Sequence, residues 1–370
     1  MTQRAINPAT GVVAGEFPEM NPAQVDAALG AASAAFDAWK RVPLGERLAA
    51  LRRAAALLRD RSPALSRLMA LEMGKPISEG RAEVEKCAWV CEYYAEHAPK
   101  FLADGLVDVD GGRARVVFRP LGPVLAVMPW NFPLWQFFRF LAPVVAAGNV
   151  ALLKHASNVP GCANAIGDLV RGAGFSEEVL QVLAIPASGV EAVIRDPRVV
   201  AVTLTGSTPA GRAVARVAGD ALKKTVLELG GSDPYVILED ADVLDAARSC
   251  ATSRMVNGGQ TCIAAKRMIV VDAVHDLFLD GLTSQMARWS HGDPLSKGTR
   301  LGPMARRDLR DELHGQVQAS IAAGARCVLG GALPDGPGAF YPPTVLADVG
   351  PGMPAYGEEL FGPVAAVIRA

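Results

Sequence analysis

The sequence predicts an α/β protein built on a parallel sheet, with a second α/β block after it and an exposed hairpin. Three observations predict this. From Val124 to Leu229 short apolar strands alternate with helical patterns, the signature of βαβ units. A second alternating block begins near Tyr235. Between a helical opening layer and the first block lies Val107 to Phe118, two short strands about the DGG turn Asp110–Gly112, whose faces are too polar for a core.

In chain order, a hairpin-like start (Ile6 to Phe17) leads to Asn21 and Pro22, which read as N-cap and first helical position. Val25, Leu29, Ala32, Phe36 and Trp39 then recur at helical spacing. Helices are predicted over Leu44–Asp60, over Pro63–Met73 with Ser62 as cap and Gly74 as stop, and over Pro76–Leu102. The alternating block gives strands at Val124–Met128, Val150–Lys154, Val179–Leu183, Val199–Thr203 and Thr225–Leu229. Its helices are Leu134–Ala147, Gly161–Gly172, Val190–Asp196 and Pro209–Gly219. A ligand of such a sheet belongs at the carboxyl ends of its strands. The later block contains a helix at Val243–Met255, a strand at Met268–Val271 and a helix at Ala273–Trp289. Gly362–Ala370 reads as a strand entering a core.

With 370 residues, half of them apolar, the chain can bury a large core in two or more domains. A net charge of −1 gives no reason to expect a nucleic acid or an anionic membrane as partner, and favours small molecules. The six cysteines show no CxxC and no cluster with histidine at metal spacing, which favours reduced thiols in a cytoplasm and no metal site. The most membrane-like run, Val124 to Leu153, holds Pro129, Pro133, Pro143, Asn131, Gln136 and Arg139, so a buried strand, turn, helix and strand fit it better than a bilayer span.

Several segments carry groups able to do chemistry. Cys262 lies in RMVNGGQTCIAAKR, a Gly-rich turn between a helical and a strand pattern, where Gly258 and Gly259 allow sharp bending; a buried inert thiol is the plainer alternative. Asn131 of MPWNFP, at a strand end, can donate its amide to a developing oxyanion, or serve a turn. Lys154 of LLKHASN can bind ribose hydroxyls or simply be solvated. In LTGSTPAG, Gly206 and Ser207 open a helix whose N-terminus suits a phosphate; as a helix cap the segment is ordinary. Glu228 of LELGG can be a general base or a solvated acid. In EELFGPV, Glu359 can bind a ribose and Phe361 can pack on a flat ring, or both are structural.

Taken together in this order, PWNFP, LLK, TGS, LELGG, GGQTC and EELFGPV resemble the aldehyde dehydrogenase superfamily, and PWNFPLWQ with LLKHASN and CIAAKR is most similar to bacterial succinate-semialdehyde dehydrogenases. The resemblance implies a Rossmann-type dinucleotide-binding domain (1–104 and 121–229), an oligomerisation hairpin (105–120) and a catalytic domain (230–370). The family's fold continues past EELFGPV, so the catalytic domain is expected to be incomplete at the C-terminus. The implied reaction is NAD(P)-dependent oxidation of an aldehyde to an acid. Cys262 would be the nucleophile, Asn131 with the Cys262 N–H the oxyanion donors, and Glu228 the base that activates the hydrolytic water. Trp130, Lys154, Ser157, Gly206, Ser207, Glu359 and Phe361 would hold the cofactor. Ser157 stands where NAD-preferring relatives often carry glutamate, so NADP acceptance is expected. Arg139 falls where succinate-semialdehyde members carry the arginine for the substrate carboxylate, whereas Val256 replaces a second polar residue of those relatives. A homodimer or homotetramer is implied. The competing readings are oxidation of another small aldehyde, transfer of the acyl group to CoA, against which Glu228 speaks, and a non-catalytic protein that keeps the fold.

Overall fold

A computed structural model describes residues 1–176 and 178–370. Near the N-terminus β1 (Thr2–Ile6) and β2 (Val13–Pro18) form a two-stranded sheet. The chain divides into two units, the first comprising 1–5, 15–65 and 81–229, the second 6–14, 66–80 and 230–370. Segments 6–14 and 66–80, which the sequence patterns leave with the N-terminal half, thus pack within the second unit.

Helix α1 (Pro22–Trp39) starts at a capping box: the Asn21 side chain accepts from the Gln24 N–H at 2.9 Å, and the Gln24 side chain accepts from the Asn21 N–H at 2.9 Å. Its buried face carries Ala28, Leu29, Ala32, Ala35 and Trp39; Val25 and Phe36 lie nearer its edge. In α2 (Leu44–Asp60) Leu48, Leu51 and Leu58 are buried, each contributing roughly 1.5–3 kcal/mol by leaving water. Next come α3 (Ser62–Met73), in which Ser62 is the first helical residue instead of the cap, and α4 (Ile77–Phe101). Strands β3 (Gly105–Val109) and β4 (Gly112–Val116) pair antiparallel around Gly111 at φ 81°, and every residue of both is exposed.

The first unit's main sheet contains β5 (Pro123–Met128), β6 (Val150–His155), β7 (Leu180–Val182), β8 (Ala201–Gly206) and β9 (Lys224–Leu229), joined by α5 (Trp135–Ala146), α6 (Pro160–Gly172), α7 (Val190–Arg195) and α8 (Thr208–Asp220). The order is β7-β6-β5-β8-β9, with all neighbours parallel. Chain order runs outward from β5 on one side and resumes with β8 on the other, so the switch point lies between β5 and β8. Strand β6 is buried throughout, as its unbroken VALLKH run requires of a central parallel strand. Strand β8 extends beyond the expected Thr203 to Gly206, because Thr205 and Gly206 pair with Glu228 and Leu229.

The second unit holds β10 (Pro234–Ile237), α9 (Val243–Met255), β11 (Arg267–Val270), α10 (Asp272–Met286), α11 (Arg307–Ala322), β12 (Arg326–Leu329), β13 (Thr344–Ala347), α12 (Pro354–Gly357) and β14 (Val364–Arg369). Its sheet order is β10-β11-β14-β13-β12, parallel except for β12 against β13. The apolar run VAAVI of β14 lies between β11 and β13. Ala365 and Val367 enter one core with Met268, Phe278 and Leu282, while Val364 and Ala366 enter another with Leu313 and Val317. Among the described residues no helix is long and apolar enough to cross a membrane, and Val124–Leu153 is a strand, loop, helix and strand.

Candidate functional site

In the first unit, the loop Pro129–Leu134 leaves the carboxyl end of β5 and carries Trp130 and the buried Asn131. Two buried side chains fix this loop. Glu83 Oε1 accepts from the N–H groups of Leu134 and Trp135, both at 2.9 Å, where the start of α5 leaves donors unpaired. His155, at the end of β6, has Nε2 2.9 Å from the Pro133 carbonyl and accepts the Ala156 N–H on Nδ1 at 2.8 Å. A carbonyl only accepts, so Nε2 carries the proton and the ring is neutral. Burial pushes its pKa down to about 4, against the Pro133 hydrogen bond and aided by Lys154.

Lys154 precedes it at the strand end, 8% exposed. Burial draws its pKa below the ordinary amine value and Glu19 partly restores it. Ser157 is exposed just beyond. Gly206 ends β8, and Ser207 sits in extended backbone at the N-cap of α8 without a side-chain capping bond. Lys154, Gly206 and the Asn131 loop therefore follow from the carboxyl ends of three adjacent parallel strands, β6, β8 and β5.

Arg139 on α5 and Glu228 on β9 meet. Arg139 Nη2 is 3.6 Å from Glu228 Oε2 and 3.4 Å from Thr205 Oγ1. Both line a cleft of about 610 Å³ walled by Trp89, Tyr93, Trp135 and Phe140. The Glu228 side chain is 55% exposed, so this contact is worth only about 0–1 kcal/mol and is easily exchanged for another partner.

In the second unit, Cys262 lies in the turn between α9 and β11. The preceding turn needs three left-handed residues in succession, Asn257 (φ 57°), Gly258 (φ 61°) and Gly259 (φ 71°). Both Glu79 carboxylate oxygens accept the Asn257 N–H at 3.1 Å. The Gln260 side chain donates to the Asn257 carbonyl at 3.2 Å and accepts from the Ala305 N–H at 2.9 Å. Arg254, fully buried, donates to the Gly259 carbonyl, and burial lowers its pKa to about 10. A Cβ on Gly259 would collide with the Gly362 carbonyl, so glycine is what lets the GGQTC and EELFGPV segments touch.

Lys266 strengthens that junction. Its ammonium, on a side chain 1% exposed, donates to the Cys262 carbonyl at 2.8 Å, to the Gly231 carbonyl at 2.5 Å and to Glu359 Oε1. It also lies 6.0 Å from the Phe361 ring centroid. Cys262, Glu359 and Phe361 are thereby gathered around one cation that the sequence patterns did not single out. Cys262 is partly exposed, whereas Cys87, Cys91, Cys162 and Cys250 are buried. Burial raises Cys91 to about 12 and Cys250 to about 11. Among the described residues no group of three or more His, Cys, Asp or Glu is placed to hold a metal ion.

The sequence model of the Aldehyde dehydrogenase family matches residues 1–370. The chain belongs to the aldehyde dehydrogenase family. A probable succinate-semialdehyde dehydrogenase [NADP(+)] of Synechocystis sp. is 47% identical over 365 residues, covering 99% of this chain and 80% of the relative. A succinate semialdehyde dehydrogenase [NAD(P)+] of Escherichia coli (strain K12) is 46% identical over 99% of this chain and 79% of its own length. Among solved structures, succinic semialdehyde dehydrogenase from Streptococcus pyogenes in complex with NADP+ superposes with a TM-score of 0.97 at 36% identity, covering 100% of this chain and 81% of that one. As an aldehyde dehydrogenase the chain has its α/β fold in common with these proteins.

Proposed function

We propose that this aldehyde dehydrogenase oxidises succinate semialdehyde to succinate, accepts NADP, and acts in the cytoplasm as a homodimer or homotetramer. The observation that carries the substrate is the 47% identity, along nearly the whole chain, to a relative named for that aldehyde and for NADP(+). Arg139 supports it, being a guanidinium in an aromatic-walled cleft with only a weakly held carboxylate to displace.

In this reading 1–104 and 121–229, apart from the segments 6–14 and 66–80 that pack with the second unit, bind the dinucleotide, 230–370 belong to the catalytic domain, and 105–120 are the oligomerisation arm. The chain's own groups fit a nicotinamide dinucleotide. Lys154 is a buried amine at a strand end that ribose hydroxyls would supply with acceptors, and Ser207 has a hydroxyl free of capping duty at the start of α8. Gly206, with no side chain, lets a pyrophosphate come close to the start of that helix, Glu359 takes the second ribose, Phe361 packs on a flat ring of the cofactor, and Trp130 lies beside Asn131 in the same loop. Ser157 places no negative charge against a 2′-phosphate. When bound, the nicotinamide supplies the hydride acceptor.

The remaining steps fall to side chains. Cys262 Sγ forms a bond to the aldehyde carbon as thiolate, and Asn131 with the Cys262 N–H holds the oxyanion that results. Loss of one such donor costs roughly 100- to 1000-fold in rate. Loss of the former aldehyde hydrogen as hydride to the bound acceptor would leave the acyl group on Cys262 as a thioester. Glu228 takes a proton from the water that hydrolyses it, which releases the acid and the thiol, while Arg139 holds the substrate carboxylate. The test is an aldehyde panel assayed with NADP and NAD by absorbance of the reduced cofactor. Succinate semialdehyde should give the highest kcat/KM, with NADP turned over. A neutral aldehyde that does better would sink the substrate assignment, and strict NAD use would sink the cofactor assignment.

A further inference from the structure

Lys266 does more than fill a core position. A buried ammonium loses several kcal/mol of hydration and is tolerated only where all its donors find acceptors. Here the three acceptors come from three separate segments: the Gly231 carbonyl, three residues after Glu228; the Cys262 carbonyl; and the Glu359 carboxylate. Only Oε1 of Glu359 is engaged by the lysine, which leaves Oε2 for a further donor. The Glu359 side chain is 27% exposed, so that donor can come from a ligand.

We propose that Lys266 is a positioning residue that holds the Glu359 carboxylate and the Cys262 main chain in one fixed arrangement, so that dinucleotide binding at Glu359 depends on the same cation that orients the nucleophile's turn. This rests on the reading of Glu359 as a ribose acceptor. Arginine does not substitute, because a planar fork cannot bring one compact point of charge to three converging acceptors.

The test is a double-mutant cycle on the full protein, read as NADPH Kd by fluorescence titration and, separately, as thermal melting. Lys266→Met should weaken NADPH binding by roughly tenfold or more, the usual consequence of losing a charge-assisted hydrogen bond. Lys266→Met combined with Glu359→Gln should bind no more weakly than Glu359→Gln alone. If Lys266→Met lowers the melting temperature but leaves Kd unchanged while Glu359→Gln weakens it, the lysine is merely structural and the ribose reading stands. Additive effects on Kd would likewise overturn the coupling. If Glu359→Gln itself leaves Kd unchanged, the ribose reading fails and takes this proposal with it. Should Lys266→Met not fold, Lys266→Gln keeps donors for the two carbonyls without the charge. A weakened Kd in that variant supports the proposal and an unchanged one overturns it.

Discussion

At the scale of single residues, reactivity is decided by what surrounds each thiol. Cys91 and Cys250, held up to about 12 and 11 by burial, are thiolate in about one part in a thousand or less at pH 8. Cys262 is partly exposed in a polar turn. Iodoacetamide at pH 8 should therefore label Cys262 at least tenfold faster than either, with activity lost in step, as peptide mapping over time would reveal. Labelling of a different cysteine in step with inactivation would remove Cys262 from its role. Arg139 allows a second prediction. Its charge partner is the half-exposed Glu228 carboxylate 3.6 Å away, so a substrate carboxylate can compete for it. Arg139→Ala should raise KM for succinate semialdehyde by roughly 10- to 100-fold, and for a neutral aldehyde of similar length far less, since charge-assisted pairs are worth about 1.5–3 kcal/mol. Equal effects on the two aldehydes would refute the assignment.

At the scale of elements, the loop that carries Asn131 is only as rigid as its anchors, Glu83 at the start of α5 and His155 at the end of β6. His155 leaves a measurable trace. Its pKa falls from an ordinary 6.5 to about 4 in the fold, so between those values the unfolded chain takes up a proton that the native ring refuses. The stability this neutral ring contributes is present above about pH 6.5 and is lost as pH falls toward 4, by about 3 kcal/mol in all. His155→Gln should melt with a visibly flatter pH dependence across pH 4–6.5, measured by calorimetry against the parent protein. An unchanged slope would show that the ring is not held neutral. The turn before Cys262 makes the matching case for backbone. Gly259→Ala puts a Cβ into the Gly362 carbonyl at positive φ and should abolish activity and lower the melting temperature, whereas Gly219→Ala on α8, where a Cβ meets open space, should do neither.

Those elements were not equally readable from residues alone. Alternation of short apolar runs placed β5 to β9 and their helices, because strands buried on both faces leave a mark that survives without knowledge of partners. The end of β8 is not legible in the residues, because Thr205 and Gly206 look like loop until Glu228 and Leu229 pair with them. The sequence patterns do not define the stretch holding α11, β12 and β13. Strands of four residues, RCVL and TVLA, are too short to show a period, and Gly and Pro surround them. Cys262 and Asn131 stood out because each sits in a turn of unusual composition. Lys266, His155 and Glu83 did not, since a buried polar group acquires its meaning from partners such as Glu359, Pro133 and Leu134 that sequence spacing does not reveal.

At the scale of the whole molecule, the hairpin β3–β4 poses a stability problem that points to assembly. A two-stranded sheet alone in water is marginal, and here both faces are exposed, with Leu106, Val109 and Val116 presented to solvent at 79%, 48% and 54%. Such a ribbon gains most by adding its strands or its apolar side chains to a neighbouring subunit, which buries both at once. Replacing Leu106 and Val116 together by Lys places repelling charge on that surface without touching either main sheet. If the proposed dimer or tetramer joins through this hairpin, light scattering should show a fall in mass toward the monomer relative to the parent protein. The circular dichroism of the variant should match that of the parent, since no core residue has changed. An unaltered mass would remove the hairpin from the proposed assembly and leave its exposed apolar residues to another purpose.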